Sequence, residues 1–218
     1  MITGIFKEEA NGRFIAIIEV NGKLEECYMA SSSKLNKLYN LKDKEVFLEK
    51  NIGKNTRTKY VVQALKDKND YIWLNLKELN NLYYRQILEK NISIICEKKI
   101  NKNLRIDFFD KEQKELIEVK GILSQNSSAI FPSLETERFY RQLKEIYKWK
   151  NKKRLVIILM NPNIKEIKLN KEYIDIYDQL IKCIRNDLKI EIYKIIYYKD
   201  FKLKKVDYKL DNNVLKLK

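Results

Sequence analysis

Apolar and polar positions alternate with period two through much of the first seventy residues, the mark of half-buried strands. Gly12–Val20 reads as one strand, Asn21-Gly22 as a tight hairpin turn, and Lys23–Tyr28 as the return strand. A Ser31–Ser33 loop and a short helical piece over Lys34–Tyr39 lead to further strands over 45–49, 59–65 and 71–74. Five short strands with one small helix predict a small barrel of the OB type. From Asn75 the period changes. Leu79, Leu82, Tyr83, Gln86 and Ile87 mark a helix of about three turns, and Asn91–Cys96 a strand. Arg105–Phe109 alternates again, a polar run over 110–115 forms a turn, and Leu116–Lys120 returns as the partner strand. Gly121–Ser133 reads as a loop docked by Ala129-Ile130-Phe131-Pro132. Ser133 or Thr136 caps a helix running to about Lys150. The apolar run Leu155–Met160, ended by Asn161-Pro162, predicts a central strand covered on both faces. A helix over Lys171–Asp187 carries Ile174, Tyr177, Leu180, Ile181 and Ile184 on one face, and Ile190–Ile196 is the last expected strand. The expectation is an OB-like barrel over residues 1–74, followed over 75–218 by an α/β domain of order αβββαβαβ with a mixed central sheet.

The hairpin over Leu104–Lys120 carries the candidate chemistry. Period two places Glu118 and Lys120 on one face, and a suitable register brings Asp107 across from them. The spacing D-x10-E-x-K fits the PD-(D/E)XK nuclease motif. Two acidic oxygens hold Mg2+ or Mn2+, the metal polarises a phosphodiester and activates water, and the lysine orients that water or stabilises developing charge. An exposed strand edge bearing Glu and Lys is the plainer alternative in so charged a chain.

Composition narrows the classes. Basic residues number 45 and acidic residues 30, leaving +15, which suits a polyanion, with nucleic acid the first candidate. Part of the lysine excess is what an AT-rich coding sequence produces, since only eight basic residues are Arg and glycine and proline number five and two. The absence of histidine removes His-based acid–base catalysis, His-ligated zinc and Ser-His-Asp triads. Cys27, Cys96 and Cys183 are too few and too far apart for a disulfide framework or a zinc ribbon, and read as buried thiols. No leader sequence and no apolar run of membrane-spanning length is evident, which predicts a cytoplasmic protein that does not engage a membrane. On the barrel, Arg13, Phe14, Lys50, Lys54, Arg57, Lys59 and Tyr60 form a candidate nucleic-acid face; the alternative makes Phe14 and Tyr60 core.

Taken whole, the sequence resembles the sugar fermentation stimulation protein A (SfsA) family. The resemblance runs through Arg13-Phe14, Arg105-Ile106-Asp107-Phe108, Glu118-Val119-Lys120, Ala129-Ile130-Phe131-Pro132, Thr136-Glu137-Arg138, Arg154 and Ile174-Asp175. It implies an OB-like barrel joined to a PD-(D/E)XK nuclease-like domain that binds DNA and cuts it. Carried over by position, Asp107 and Glu118 are metal ligands, the Val119 backbone carbonyl adds a third, Glu97 is a possible fourth or a strand-edge charge, and Lys120 is the catalytic lysine. Arg138 and Gln142, one helical turn apart, and Arg105 are expected to meet phosphate. The family's Arg-Gly-x-Lys-His reads Arg138-Phe139-Tyr140-Arg141-Gln142 here, and the Asp after Phe-Pro is Ser133. The Ser before the hairpin arginine is Leu104, and His-x-x-Asn-x-Gly is Tyr28–Ser33. These departures touch the accessory phosphate contacts and leave the triad intact. The expected function is metal-dependent hydrolysis of DNA or RNA; the alternative is a nucleic-acid-binding protein with a relic site. A transcriptional regulator of sugar catabolism is disfavoured, since no helix-turn-helix is evident.

Overall fold

The computed structural model describes residues 2–10, 14–30, 39–52, 57–133, 136–211 and 214–217. The N-terminal part closes into a five-stranded barrel from β1 (Ile2–Glu9), β2 (Ile15–Val20), β3 (Lys23–Tyr28), β4 (Glu45–Lys50) and β5 (Tyr60–Asp67). β1 lies between β2 and β4, and a short parallel pairing of Cys27 and Tyr28 with Tyr60 and Val61 shuts the ring. β6 (Asp70–Trp73) extends from β5 outside the closure. β1 escaped the sequence reading because one of its two inward positions is Gly4, and its second half is Lys7-Glu8-Glu9 with a register shift between Phe6 and Glu8. Gly4 is needed there: a Cβ would stand 2.5 Å from Ile18 Cγ2 and 2.8 Å from the Glu19 carbonyl. Phe6, Ile18, Val46, Leu48, Val62 and Leu65 fill the barrel, and Tyr60 joins them as core. The helical piece expected over Lys34–Tyr39 lies, but for Tyr39, outside the described residues.

The chain then passes through a tight 3-10 turn at Leu76–Glu78 into α1 (Leu79–Tyr83), which widens into a π turn over Tyr84–Leu88 closed by Glu89 N–H on the Tyr84 carbonyl at 2.8 Å. The extra residue in that turn rotates the apolar face. Leu88 is therefore buried and Ile87, expected inside, is exposed.

The main sheet has six strands: β7 (Ile94–Lys99), β8 (Arg105–Asp110), β9 (Glu115–Ile122), β11 (Lys153–Leu159), β13 (Leu188–Tyr197) and β14 (Phe201–Val206), in the order 14-13-11-9-8-7. β9, β11 and β13 run parallel and the outer pairs antiparallel, so the sheet is mixed as expected. The segment read as a loop over 121–133 instead extends β9 to Ile122 and adds β10 (Ser128–Phe131). β10, β12 (Glu166–Leu169), β16 (Val214–Leu217) and β15 (Tyr208–Asp211) form a second, four-stranded sheet. The strand over 190–196 is thus not the last. The missed strands β10, β12, β14, β15 and β16 are four to six residues long, all but β10 carry lysine at outward positions, and they reach strand geometry only by pairing.

α2 (Glu137–Lys148) is capped by Thr136, whose hydroxyl accepts the Phe139 N–H at 3.2 Å. α3 (Ile174–Arg185) packs on α2 through Ile176, Leu180 and Cys183, with the Cys183 thiol donating to the Leu143 carbonyl. Ile174, expected on that face, sits in the first turn and is exposed. Cys96 is exposed as well, contrary to the expectation of three buried thiols, because the end of β7 is an open sheet edge. Among the described residues, no helix is long and apolar enough to cross a membrane.

One charged row ties four strands together. Arg154 on β11 makes a two-pronged contact with Glu115 on β9 at 2.7 and 3.1 Å and reaches Glu191 on β13 at 3.2 Å; Glu191 also takes Lys205 of β14 at 2.6 Å. Burial opposes charge on Glu191, but the Lys205 bond and Arg154 outweigh it and hold the carboxyl below the ordinary glutamate range. The barrel leans on the edge of this sheet through Phe47, Tyr71, Trp73, Tyr197 and Phe201, with ring centroids as close as 4.5 Å. The Trp73 N–H also bonds the Met160 carbonyl at 2.9 Å.

Gly4→Ala drives a methyl into a backbone carbonyl and should lower the denaturant-derived unfolding free energy by about 2 kcal/mol. Arg154→Met strands two largely buried carboxylates and should lower it by about 3 kcal/mol. An unchanged unfolding midpoint in either variant would show that the close approach, or the charged row, holds nothing in place.

Candidate active site

The site grows out of the β8–β9 hairpin. Its turn is set by Asp110, whose carboxylate accepts the Gln113 N–H at 2.9 Å and is held by Ser93 and Asn91. The paired register Asp110↔Glu115, Phe109↔Leu116, Phe108↔Ile117 ends one residue short of Asp107, and its projection sets Asp107 across from Glu118, on the face shared with Lys120. The Asp107 carboxylate accepts the Val119 N–H at 2.8 Å and the Asn80 side-chain amide at 3.0 Å. Asn80, on α1, escaped the sequence reading, since no spacing rule links residue 80 to residue 107.

Glu118 is 1% exposed. One of its oxygens takes the Lys120 ammonium, and the other has no hydrogen-bond partner among the described residues. Burial pushes its carboxyl up to about 6; Lys120 and, more weakly, Arg138 pull against this, while the Asp107 charge adds to it. Lys120 lies 5.3 Å over the Phe139 ring and 3.5 Å from the Gln142 side-chain oxygen. Gln142 is buried and its amide donates to the Arg105 carbonyl at 3.4 Å. Thr136 starts α2 where Arg138 and Gln142 face the hairpin. Asp107, Glu118, Lys120, Arg138 and Gln142 therefore line one cavity of about 290 Å3, with Pro132 and Ser133 on its rim.

Other candidate residues lie apart from this cavity. Glu97 projects from an irregularity in β7 (φ +52°) and pairs with Arg105 at 3.0 Å in an adjoining groove. On the barrel, Arg57 pairs with Glu26 at 3.1 Å and Lys59 with Glu25 at 3.8 Å, while Phe14 is partly exposed and stacks on Tyr28. Arg13 and Lys54 lie outside the described residues. No group of three or more His, Cys, Asp or Glu forms among the described residues, so the site offers a pair of carboxylates and the backbone of Val119.

The raised Glu118 pKa has a signed consequence. The folded protein holds a proton that the unfolded chain releases between pH 4.5 and about 6, so this group stabilises the fold fully below that window and less as pH rises through it. In chelator, Glu118→Gln should gain about 2 kcal/mol on wild type between about pH 4 and pH 8. Parallel stability profiles in urea would show that Glu118 titrates as an ordinary surface carboxylate.

Comparison with known proteins places the chain. A family model described as "Sugar fermentation stimulation protein RE domain" matches residues 74–200. A sugar fermentation stimulation protein homolog of Thermosipho melanesiensis is 31% identical over 157 residues, 68% of this chain and 65% of the relative. One from Clostridium beijerinckii is 29% identical over 141 residues, 62% of each chain. The matched stretches thus cover somewhat less than two-thirds of these relatives' lengths. The structure of Pyrococcus furiosus SfsA in complex with Ca2+ superposes with a TM-score of 0.73 over 94% of this chain and 92% of that one, at 16% identity, a likeness of fold. On the family match and these relatives, the chain belongs to the SfsA family.

Proposed function

We propose that the protein is a metal-dependent nuclease acting on DNA or RNA, with residues to about 74 forming a barrel that contributes to binding and the remainder carrying the chemistry. The observation that carries this reading is Glu118: a buried carboxylate with one oxygen that meets no donor among the described residues, beside a second carboxylate, on the wall of an open cavity. Setting a buried acid beside a half-buried one is costly unless something positive is bound, and the Lys120 ammonium meets only one of the Glu118 oxygens.

These residues fit a divalent cation. Asp107 and Glu118 are hard oxygen donors of the kind that Mg2+ or Mn2+ takes, and the Val119 backbone lines the same cavity as a candidate third donor. A relative of the same fold was solved in complex with Ca2+, another oxygen-seeking dication. Such an ion supplies Lewis-acid polarisation of a phosphodiester and charge to offset the developing oxyanion. The chain's own groups do the rest. Arg138 presents a planar fork to phosphate oxygens. Lys120, steered by Glu118, Gln142 and the Phe139 ring, holds a positive charge where the attacking oxygen must shed its proton. Asn80 and the Val119 N–H fix the Asp107 carboxylate before substrate arrives. The reading requires no membrane and suits a cytoplasmic protein.

A binding-only reading has an observation of its own: both Asp107 oxygens are engaged, and Lys120 closes on Glu118, as a retired site would be. End-labelled single- and double-stranded DNA and RNA, incubated with Mg2+ or Mn2+, separate the two. Wild type should cut, while Asp107→Ala and Lys120→Ala should lose about 100-fold or more in rate and still bind. Binding by all three proteins without cleavage under either metal would leave the binding-only protein.

A further inference from the structure

A second, larger groove of about 560 Å3 adjoins the cavity, and Arg138 and Gln142 line both. Its walls are the β7–β8 hairpin and the exposed edge of α2. They carry Lys99, Lys102, Arg105, Arg138 and Arg141 against the single carboxylate of Glu97. Glu97 is taken by Arg105, and Arg141 has a long, exposed contact with Glu137 at 3.7 Å. Lys99, Lys102 and Arg138 enter no ion pair among the described residues.

The groove is rigidly built. Asn101 folds the hairpin tip by accepting the N–H groups of Asn103 and Leu104 at 2.8 and 2.9 Å, and its own amide bonds Glu145 of α2 at 2.9 Å. Leu104 is buried beneath the tip. Lys102 therefore stands on a tip pinned to the helix that carries Arg138, and Lys99 on the strand that leads into it. Unpaired cations held close together repel one another, so the arrangement favours a bound polyanion.

We propose that this groove seats the phosphates flanking the one bound in the Asp107–Glu118 cavity, with Arg138 contacting both, so that the substrate is an extended polynucleotide strand entering over the β7–β8 hairpin. The proposal rests on the nuclease reading for its central phosphate. The barrel face around Arg57 and Lys59, whose charges are met by Glu26 and Glu25, then serves as a secondary contact.

The test measures binding of a labelled oligothymidylate of about 12 nucleotides by anisotropy, in chelator, between about 50 and 200 mM salt. Lys99→Glu/Lys102→Glu should weaken binding at least about tenfold and flatten the log K against log salt slope by about 1.4, or 0.7 for each lost contact to a single strand. Lys182→Glu/Lys209→Glu, an equal charge change at exposed positions outside the groove, should leave the slope as in wild type. An unchanged slope in the first variant, or an equal loss in the second, overturns the groove. Because no metal is present, the two readings fail separately. The expected loss of binding in a protein that never cuts would retain the groove and reject the nuclease. Cleavage that depends on Asp107 but keeps its KM in Lys99→Glu/Lys102→Glu would do the reverse.

Discussion

The structure depends on β9 being hydrogen-bonded on both sides. β8 holds it antiparallel and β11 parallel, so neither register can slip without turning the faces of the hairpin over. That double constraint delivers Asp107 opposite Glu118 and keeps Lys120 two residues on. It also forces Glu118 into the interior, where water cannot screen it. The ladder between β8 and β9 gives way just where the Asp107 side chain accepts the Val119 N–H, so the acid is held by the backbone that presents its partner.

Two clusters of charge in the same sheet show how a structural one differs from a candidate chemical one. Around Arg154 every buried carboxylate is met: Glu115 by both prongs of the guanidinium, Glu191 by Arg154, Lys205 and the Tyr193 hydroxyl. The attraction there exceeds the cost of desolvation, and Glu191 is held in its charged form. At Glu118 the balance runs the other way. Among the described residues one oxygen is unmet, a second acid stands near, and burial raises the carboxyl to about 6. That imbalance is what the proposed cation would relieve. Beside it, the groove under the β7–β8 hairpin is incomplete with the opposite sign, so cation-seeking and anion-seeking surfaces meet at Arg138 and Gln142.

Aromatic rings join the barrel to the sheet. Phe47 and Tyr71 from the barrel side meet Tyr197 and Phe201 from the sheet edge in mostly edge-on contacts, and Trp73 anchors the seam with a backbone bond to Met160. Such contacts fix an orientation as well as burying area.

Much of this was legible in the chain. Alternation over Arg105–Phe109, the two-residue step from Glu118 to Lys120, an unbroken apolar run at 155–160 and helical periodicity after Thr136 follow from local geometry, so the barrel, the mixed sheet and the hairpin could be read directly. β1 could not, because Gly4 answers to crowding by Ile18 and Glu19, a property of barrel closure. The β10–β12–β16–β15 sheet could not, because its four-residue strands take their form from their partners. The π turn moved Leu88 inward in place of Ile87, a shift that only the register of α1 against the sheet decides. At the site, the sequence supplied the residue types and the two-residue spacing of Glu118 and Lys120. Tertiary structure alone decided that Asn80 grips Asp107, that Glu97 goes to Arg105 and that Glu118 keeps an oxygen unmet. Those outcomes depend on burial and on contacts between segments tens of residues apart, which local periodicity does not encode.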